Sequence, residues 1–325
     1  RRHTRWNCSS RGLGDVYKRQ IDNATNEGSD QSDGVFTIQS PPGGRVATTL
    51  RDFDMPGTQP LEGHVSLNDI SNCASCHAEY DAEVEPFFNW QGSMMSMASR
   101  DPLFEANLVI ANQDAPDSGD LCLRCHQYNG WVQGRSVPTD GSSMQVSDLI
   151  GVSCDQCHRM VDPVYEVGVS PAEDEAILAV LSHITGIEIG NGMLVIDPDS
   201  AARRGPFDDA VAPHDFTTSP FHQQAALCGS CHDVSNPVFE NDGNGSYLPG
   251  TLDAPAQDFS PHNLAPVERT YSEWLNSAYN SSNGVYAPRF AGSKPDGRVG
   301  ICQDCHMRDS LGQGCDPTID PTNPP

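Results

Sequence analysis

The chain has 325 residues, the length of two ordinary domains, but only 37% are hydrophobic, and it holds 29 glycines and 25 prolines. That composition fits long irregular connections better than one large apolar core. Its formal charge of -25, from 19 basic and 44 acidic residues, argues against nucleic acid and anionic lipid as partners.

The first twenty residues read as foreign to the rest. They hold six of the basic residues (Arg1, Arg2, Arg5, Arg11, Lys18, Arg19) and one acidic residue, Asp15, so the remainder carries -30. They contain no initiator Met and no continuous apolar run, unlike a signal peptide. Residues 1–20 are therefore expected to be a non-native leader resembling translated adapter sequence, and Cys8 and His3 are set aside with it. Residues 21–62 are polar and rich in Gly and Pro, as in an extended lead-in. A single domain is expected over 63–315, and the Pro-rich stretch 316–325 reads as a tail or truncated linker. No run approaches 18 consecutive apolar residues, so no membrane-spanning helix is expected.

Five copies of Cys-x-x-Cys-His follow in order: Cys73-Cys76-His77, Cys122-Cys125-His126, Cys154-Cys157-His158, Cys228-Cys231-His232 and Cys302-Cys305-His306. Their starts are 49, 32, 74 and 74 residues apart, which is no strict repeat. It suggests a group of three followed by two longer modules. Between the first two motifs a helix is expected from Asp101, with Pro102 in its first position and Leu103, Phe104, Leu108 and Ile110 packing inward, ending near Asn112. Ser170-Pro171-Ala172-Glu173 is a capping box opening a helix from Pro171 to about Ile184. Its apolar stripe is Ala176, Ile177, Val180, Leu181 and Ile184, with His183 beside it. The alternation of 187–196 around Asn191-Gly192 reads as a surface hairpin. Ser219-Pro220 opens a short helix carrying His222. Glu240 to Gly245 reads as a surface turn, because Thr251 stands where a calcium loop needs Glu. Thr270-Tyr271-Ser272-Glu273 is a second capping box, for a helix through Trp274, Leu275 and Tyr279. The fold class is thus mainly α with extensive irregular coil and few short strands.

Cys-x-x-Cys-His is the attachment signature of a c-type haem. The thiols add across the two vinyl groups, and the adjacent histidine ligates iron from one face. Ten of the twelve cysteines sit in these motifs. Zinc fits badly: five pairs cannot be matched two by two, and zinc gives no reason for a histidine after every second cysteine. A disulfide framework needs no histidines. Five c-type haems are therefore expected, held by Cys73, Cys76, Cys122, Cys125, Cys154, Cys157, Cys228, Cys231, Cys302 and Cys305. His77, His126, His158, His232 and His306 are the proximal iron ligands. The macrocycles would also replace much of the missing apolar core.

The opposite iron face decides the chemistry: a second protein ligand makes a low-spin carrier, and an open face admits substrate. Five further histidines lie outside the motifs and the leader, His64, His183, His214, His222 and His262, and they are the candidate distal ligands. His64 and His222 lie too near their following motifs to serve the same haem and suit a neighbouring one. Met95 and Met97, in Ser93-Met94-Met95-Ser96-Met97, are alternative distal ligands or packing groups. Lysine is almost absent, with only Lys18 and Lys294.

The sequence resembles the multihaem cytochromes of the cytochrome c-554 and hydroxylamine-oxidoreductase-like group. The resemblance spans about 70–310 and is carried by several phrases. They are Cys73-Ala74-Ser75-Cys76-His77, Trp90-Gln91-Gly92-Ser93-Met94-Met95 with Arg100-Asp101-Pro102, and Gly151-Val152-Ser153-Cys154-Asp155-Gln156-Cys157-His158. Further on come Cys228-Gly229-Ser230-Cys231-His232-Asp233-Val234-Ser235-Asn236-Pro237, and Tyr271-Ser272-Glu273-Trp274-Leu275 with Cys302-Gln303-Asp304-Cys305-His306-Met307. The resemblance implies a periplasmic or cell-surface electron carrier with closely stacked haems. Its partners would be redox proteins, quinol-linked or a terminal reductase, and oligomers are compatible with it. The haem number departs from the four and eight of the group's namesakes, and no crosslinking tyrosine is found. Every motif ends in His, unlike an ammonia-forming nitrite reductase, whose catalytic haem usually has a proximal lysine. Electron transfer with no catalytic residue is therefore the leading expectation. The alternatives are a redox enzyme acting on a small nitrogen or sulfur compound at one open haem, or a subunit of a polymeric haem wire; Arg159, Arg203 and Arg204 could hold an anion in the first, and surface solvation or propionate pairing explains them equally well.

Overall fold

A computed structural model describes residues 46–321 and three strands nearer the N-terminus. The chain forms two units, 1–45 and 46–325. In the first, Tyr17–Ile21 pairs antiparallel with both His3–Asn7 and Glu27–Gln31. The rest of the expected leader lies outside the described residues.

The second unit is mainly helical with much coil. Its eleven described α-helices are short, the longest being Pro102–Asp114 at 13 residues. No described helix is long and apolar enough to cross a membrane. Part of the expected lead-in packs into this unit, since Phe53 and Met55 are buried. The main cluster joins Val65, Leu67, Phe104, Leu108, Leu123, Tyr128, Trp131, Val132, Met160, Leu194, Ile196 and Phe221, with Cys122 and Cys231 packed against it. The core is thus gathered around the second and fourth motifs.

Helix Pro102–Asp114 starts as its sequence dictates. The Asp101 carboxylate accepts from Leu103 N at 2.9 Å, and Pro102 takes a position where no N–H is needed. Phe104 and Leu108, one turn apart, are buried, but Leu103 and Ile110 are exposed, so the inward face is narrower than expected. The helix expected from Pro171 runs only Ala172–Ala179. Its capping box does not form, because Ser170 Oγ instead accepts from Glu166 N. Ala176, Val180 and Ile184 are exposed, and the buried residue of this helix is Asp174. The expected apolar stripe is therefore not its packing face.

The hairpin expected over 187–196 is also absent. The chain turns at Gly190–Gly192 with positive φ, but Val195–Ile196 pairs antiparallel with Met160–Val161. Met193 to Ile196 are buried rather than on the surface. The turn at 240–245 is as expected and exposed; it joins Val234–Asn241 to Tyr247–Pro249, with Leu264–Glu268 on the other edge. Helix Thr270–Leu275 begins without its capping box and stops before Tyr279, which lies in a separate 3-10 turn, Ala278–Asn280.

Trp90 donates its indole N–H to Val152 O at 2.8 Å, and Val152 N donates to Met95 O at 2.9 Å. These bonds fix the segment entering the third motif. Gly151 closes the joint at φ 69, where a Cβ would stand 2.2 Å from Met95 O. Gly151→Ala should destabilise by at least about 1–3 kcal/mol from backbone strain alone. Denaturant unfolding should show a lowered midpoint; an unchanged midpoint would refute this packing.

Candidate haem-binding site

The motifs have the local geometry that attachment needs. A cysteine, a second cysteine three residues on and a histidine four residues on share one helical face. Helices Ile70–His77, Gly119–His126, Cys154–His158 and Cys302–His306 each carry a whole motif. The fourth begins in Ala225–Gly229 and continues as a turn, with His232 N donating to Cys228 O at 2.9 Å. Caps set the starts: Asp69 accepts from Ser71 N at 2.9 Å, and Ser153 Oγ from Gln156 N at 3.1 Å. Asp304, inside the fifth motif, accepts from Gly300 N at 2.7 Å and from Lys294. All ten motif thiols are free of disulfides.

Three motif histidines are oriented by a backbone carbonyl. His77 Nδ1 bonds Gly314 O at 2.6 Å, His126 Nδ1 bonds Ala98 O at 3.1 Å, and His158 Nδ1 bonds Arg204 O at 2.7 Å. A carbonyl only accepts, so Nδ1 carries the proton and Nε2 is left with its lone pair for a metal. Burial lowers the pKa of all three, which keeps them in the neutral, ligating form. Phe104 stacks on His126 with centroids 4.1 Å apart and planes 4° apart, which fixes the ring further.

Two of these rings face a second histidine. His158 and His222 have centroids 6.1 Å apart and planes 16° apart; His77 and His214 are 6.5 Å apart at 52°. An imidazole nitrogen binds a metal at about 2 Å, so two rings on opposite faces of one iron lie with centroids about 6 Å apart. Both pairs match that spacing. His222 is buried, and its Nδ1 has no partner while Nε2 bonds Cys157 O at 2.9 Å. Burial brings its pKa down to about 4. A buried imidazole with an unused nitrogen fits a ligand role. The thiols, the oriented rings and these spacings together fit covalent haem.

One comparison with known proteins agrees with that fit. Residues 72–159 match the family model described as Cytochrome c554 and c-prime, a span that holds the first three motifs entire. The match supports a c-type cytochrome. No curated protein and no solved structure matches the chain. A c-type cytochrome carries covalently bound haem and works in electron transfer.

The other candidate ligands lie in different settings. His214 is exposed, with Nδ1 on Asp215 O at 3.0 Å. His183, expected beside a buried stripe, is exposed beyond the end of its helix, with Nε2 3.4 Å from Asp54. His64 is exposed at the end of the turn Glu62–His64, with φ 55, and His262 is exposed. Met95 is half-buried and Met97 exposed, its sulfur accepting from Arg100 at 3.4 Å. Both sit on helix Met94–Met97, directly before the Ala98 carbonyl that holds His126, so their backbone lies on the proximal side of the second motif.

The three arginines that the enzyme alternative would use to hold an anion are already engaged. Arg159 bonds Asp155 at 3.1 Å and Asp197 O at 2.6 Å; Arg203 bonds Asp155 at 3.0 Å; Arg204 bonds Asp174 at 2.6 Å and also Asp197. Arg159 and Arg204 are fully buried. This network braces the third motif from behind, since Asp155 lies inside it and Arg204 O holds His158. Arg124 was missed as well. It lies between Cys122 and Cys125, fully buried, and donates to Gly192 O at 2.6 Å, Met55 O at 2.9 Å and Pro56 O while covering the Trp131 ring at 4.6 Å.

Proposed function

We propose that this cytochrome binds five haems, one per Cys-x-x-Cys-His motif, and passes single electrons among them in an extracytoplasmic respiratory chain. The observation that carries the reading is the pairing of motif histidines with histidines from distant sequence, above all His158 with His222 at 6.1 Å. Bound haem supplies the reversible one-electron couple. The residues do the rest. Each cysteine pair fixes the group covalently. Gly314, Ala98 and Arg204 carbonyls hold three proximal rings in the ligating tautomer. His214 and His222 would close the distal faces at the first and third motifs, which would favour electron transfer over substrate binding there. The balance is simple: one electron leaves a reduced donor protein, an oxidised acceptor protein takes it, and no bond forms or breaks. A chain with 44 acidic and 19 basic residues favours donors and acceptors with cationic docking surfaces.

Intact-mass measurement of protein matured with a c-type haem attachment system tests the stoichiometry. The expected mass is the polypeptide plus five haems, retained under denaturing conditions. Four or fewer retained haems would overturn the five-haem reading.

A further inference from the structure

Attachment motifs far apart in sequence meet in a definite order. The first meets the third: helices Ile70–His77 and Cys154–His158, which carry Cys73 and Cys154, pack together. The fourth motif meets three others. Its Cys231 packs against the same apolar cluster as Cys122 of the second motif. Gly192 reinforces this joint. Its N–H donates to Ser230 O at 2.8 Å, and a Cβ there would stand 2.9 Å from Cys125 Sγ.

The helix that carries Cys228 of the fourth motif is in contact with the fifth-motif helix, Cys302–His306. Gln303, inside the fifth motif, donates to the carbonyls of Gln224 at 2.8 Å and His222 at 3.2 Å. Helix Thr270–Leu275 ties the same joint, with Tyr271 N on His232 O at 2.8 Å and the Trp274 indole on Gly300 O at 2.6 Å. Finally, His222 sits on the turn leading into the fourth motif and bonds Cys157 O of the third at 2.9 Å.

From these contacts we propose that the fourth motif is a three-way junction. The haem it holds borders those of the second, third and fifth motifs, and the first connects through the third. The inference rests on the five-haem reading above. A thioether sulfur sits at the edge of its macrocycle, so attachment motifs packed against each other bring two edges side by side, and electron transfer follows short edge-to-edge paths. The conduit then has three ends, at the first, second and fifth motifs. An electron given up by a reduced protein at one end can leave to an oxidised protein at either of the other two. An unbranched wire offers only one exit.

Iron anomalous scattering from crystals of the haem-loaded protein tests this directly. Five irons are expected. The iron on His232 should have three haem neighbours with macrocycle edges in van der Waals contact, about 4 Å, and the irons on His77, His126 and His306 one each. Fewer than five irons would overturn the five-haem reading itself. Five irons with two or fewer such neighbours at His232 would overturn the junction alone.

Discussion

Replacing His222 with alanine should convert one low-spin haem, the one attached at Cys154 and Cys157, to a high-spin species that binds carbon monoxide. His158 would remain as its only protein ligand, since the proposed second ligand is the ring 6.1 Å away. The signature is a high-spin signal from one haem in the oxidised protein, with the other haems unchanged. His222→Met should restore six-coordination and raise that haem's reduction potential, since a thioether favours the reduced iron. This rescue separates ligation from packing, which matters because His222 is buried beside Phe221. His183→Ala is the control. His183 is exposed and meets Asp54, so its loss should leave every spin state as it was. An unaltered spectrum for His222→Ala would refute the pairing.

Arg204→Ala should destabilise the protein by about 3–5 kcal/mol, the usual cost of breaking a buried ion pair from one side. The guanidinium spans Asp174 and Asp197, and all three side chains are buried. Thermal unfolding should fall by on the order of 10 °C for a unit of this size. Arg204→Lys should lose somewhat less, because its ammonium keeps one of the two carboxylates paired, although it cannot bridge both as a planar fork does. The deficit should depend on pH. Burial raises the pKa of Asp174 even with Arg204 present. In the variant that carboxyl would titrate higher still, so stability is retained below the ordinary carboxylate range and lost as pH rises through the folded-state value. His158 accepts its orientation from the Arg204 backbone carbonyl, which substitution leaves in place. Spin states should therefore persist while the melting temperature drops. A melting temperature within a degree of the parent, or a deficit independent of pH, would contradict the account.

The attachment chemistry was legible in the sequence because it is local. Five residues hold both thiols and the proximal ligand, and a helical turn suffices to align them. Helix Pro102–Asp114 was legible for the same reason, through Asp101 and Pro102. Pairings set by distant segments were not. Val195–Ile196 pairs with Met160–Val161, so the alternation around Asn191-Gly192 described a strand partner that the local sequence does not contain. The helix after Pro171 buries Asp174 toward Arg204; an ion pair thirty residues apart outweighs an apolar stripe of the right period. The same limit governs the distal ligands. Counting spare histidines gave five candidates, with His183 and His222 ahead of His64, His214 and His262, and only tertiary structure brings the His222 ring to 6.1 Å from His158 and the His214 ring to 6.5 Å from His77. Arg124 carried a faint signal, a cation inside an attachment motif, but its role as a clamp on the carbonyls of Met55, Pro56 and Gly192 depends on a fold that brings those three together.

The central claim is that this chain is an electron carrier built on five haems. Magnetic circular dichroism of the oxidised, fully loaded protein, recorded with and without carbon monoxide after reduction, tests it most directly. The account predicts five haem equivalents, with bis-histidine low-spin character at the first and third motifs and no steady turnover of nitrite or hydroxylamine. A high-spin, carbon monoxide-binding haem at either of those motifs, together with such turnover, would contradict it.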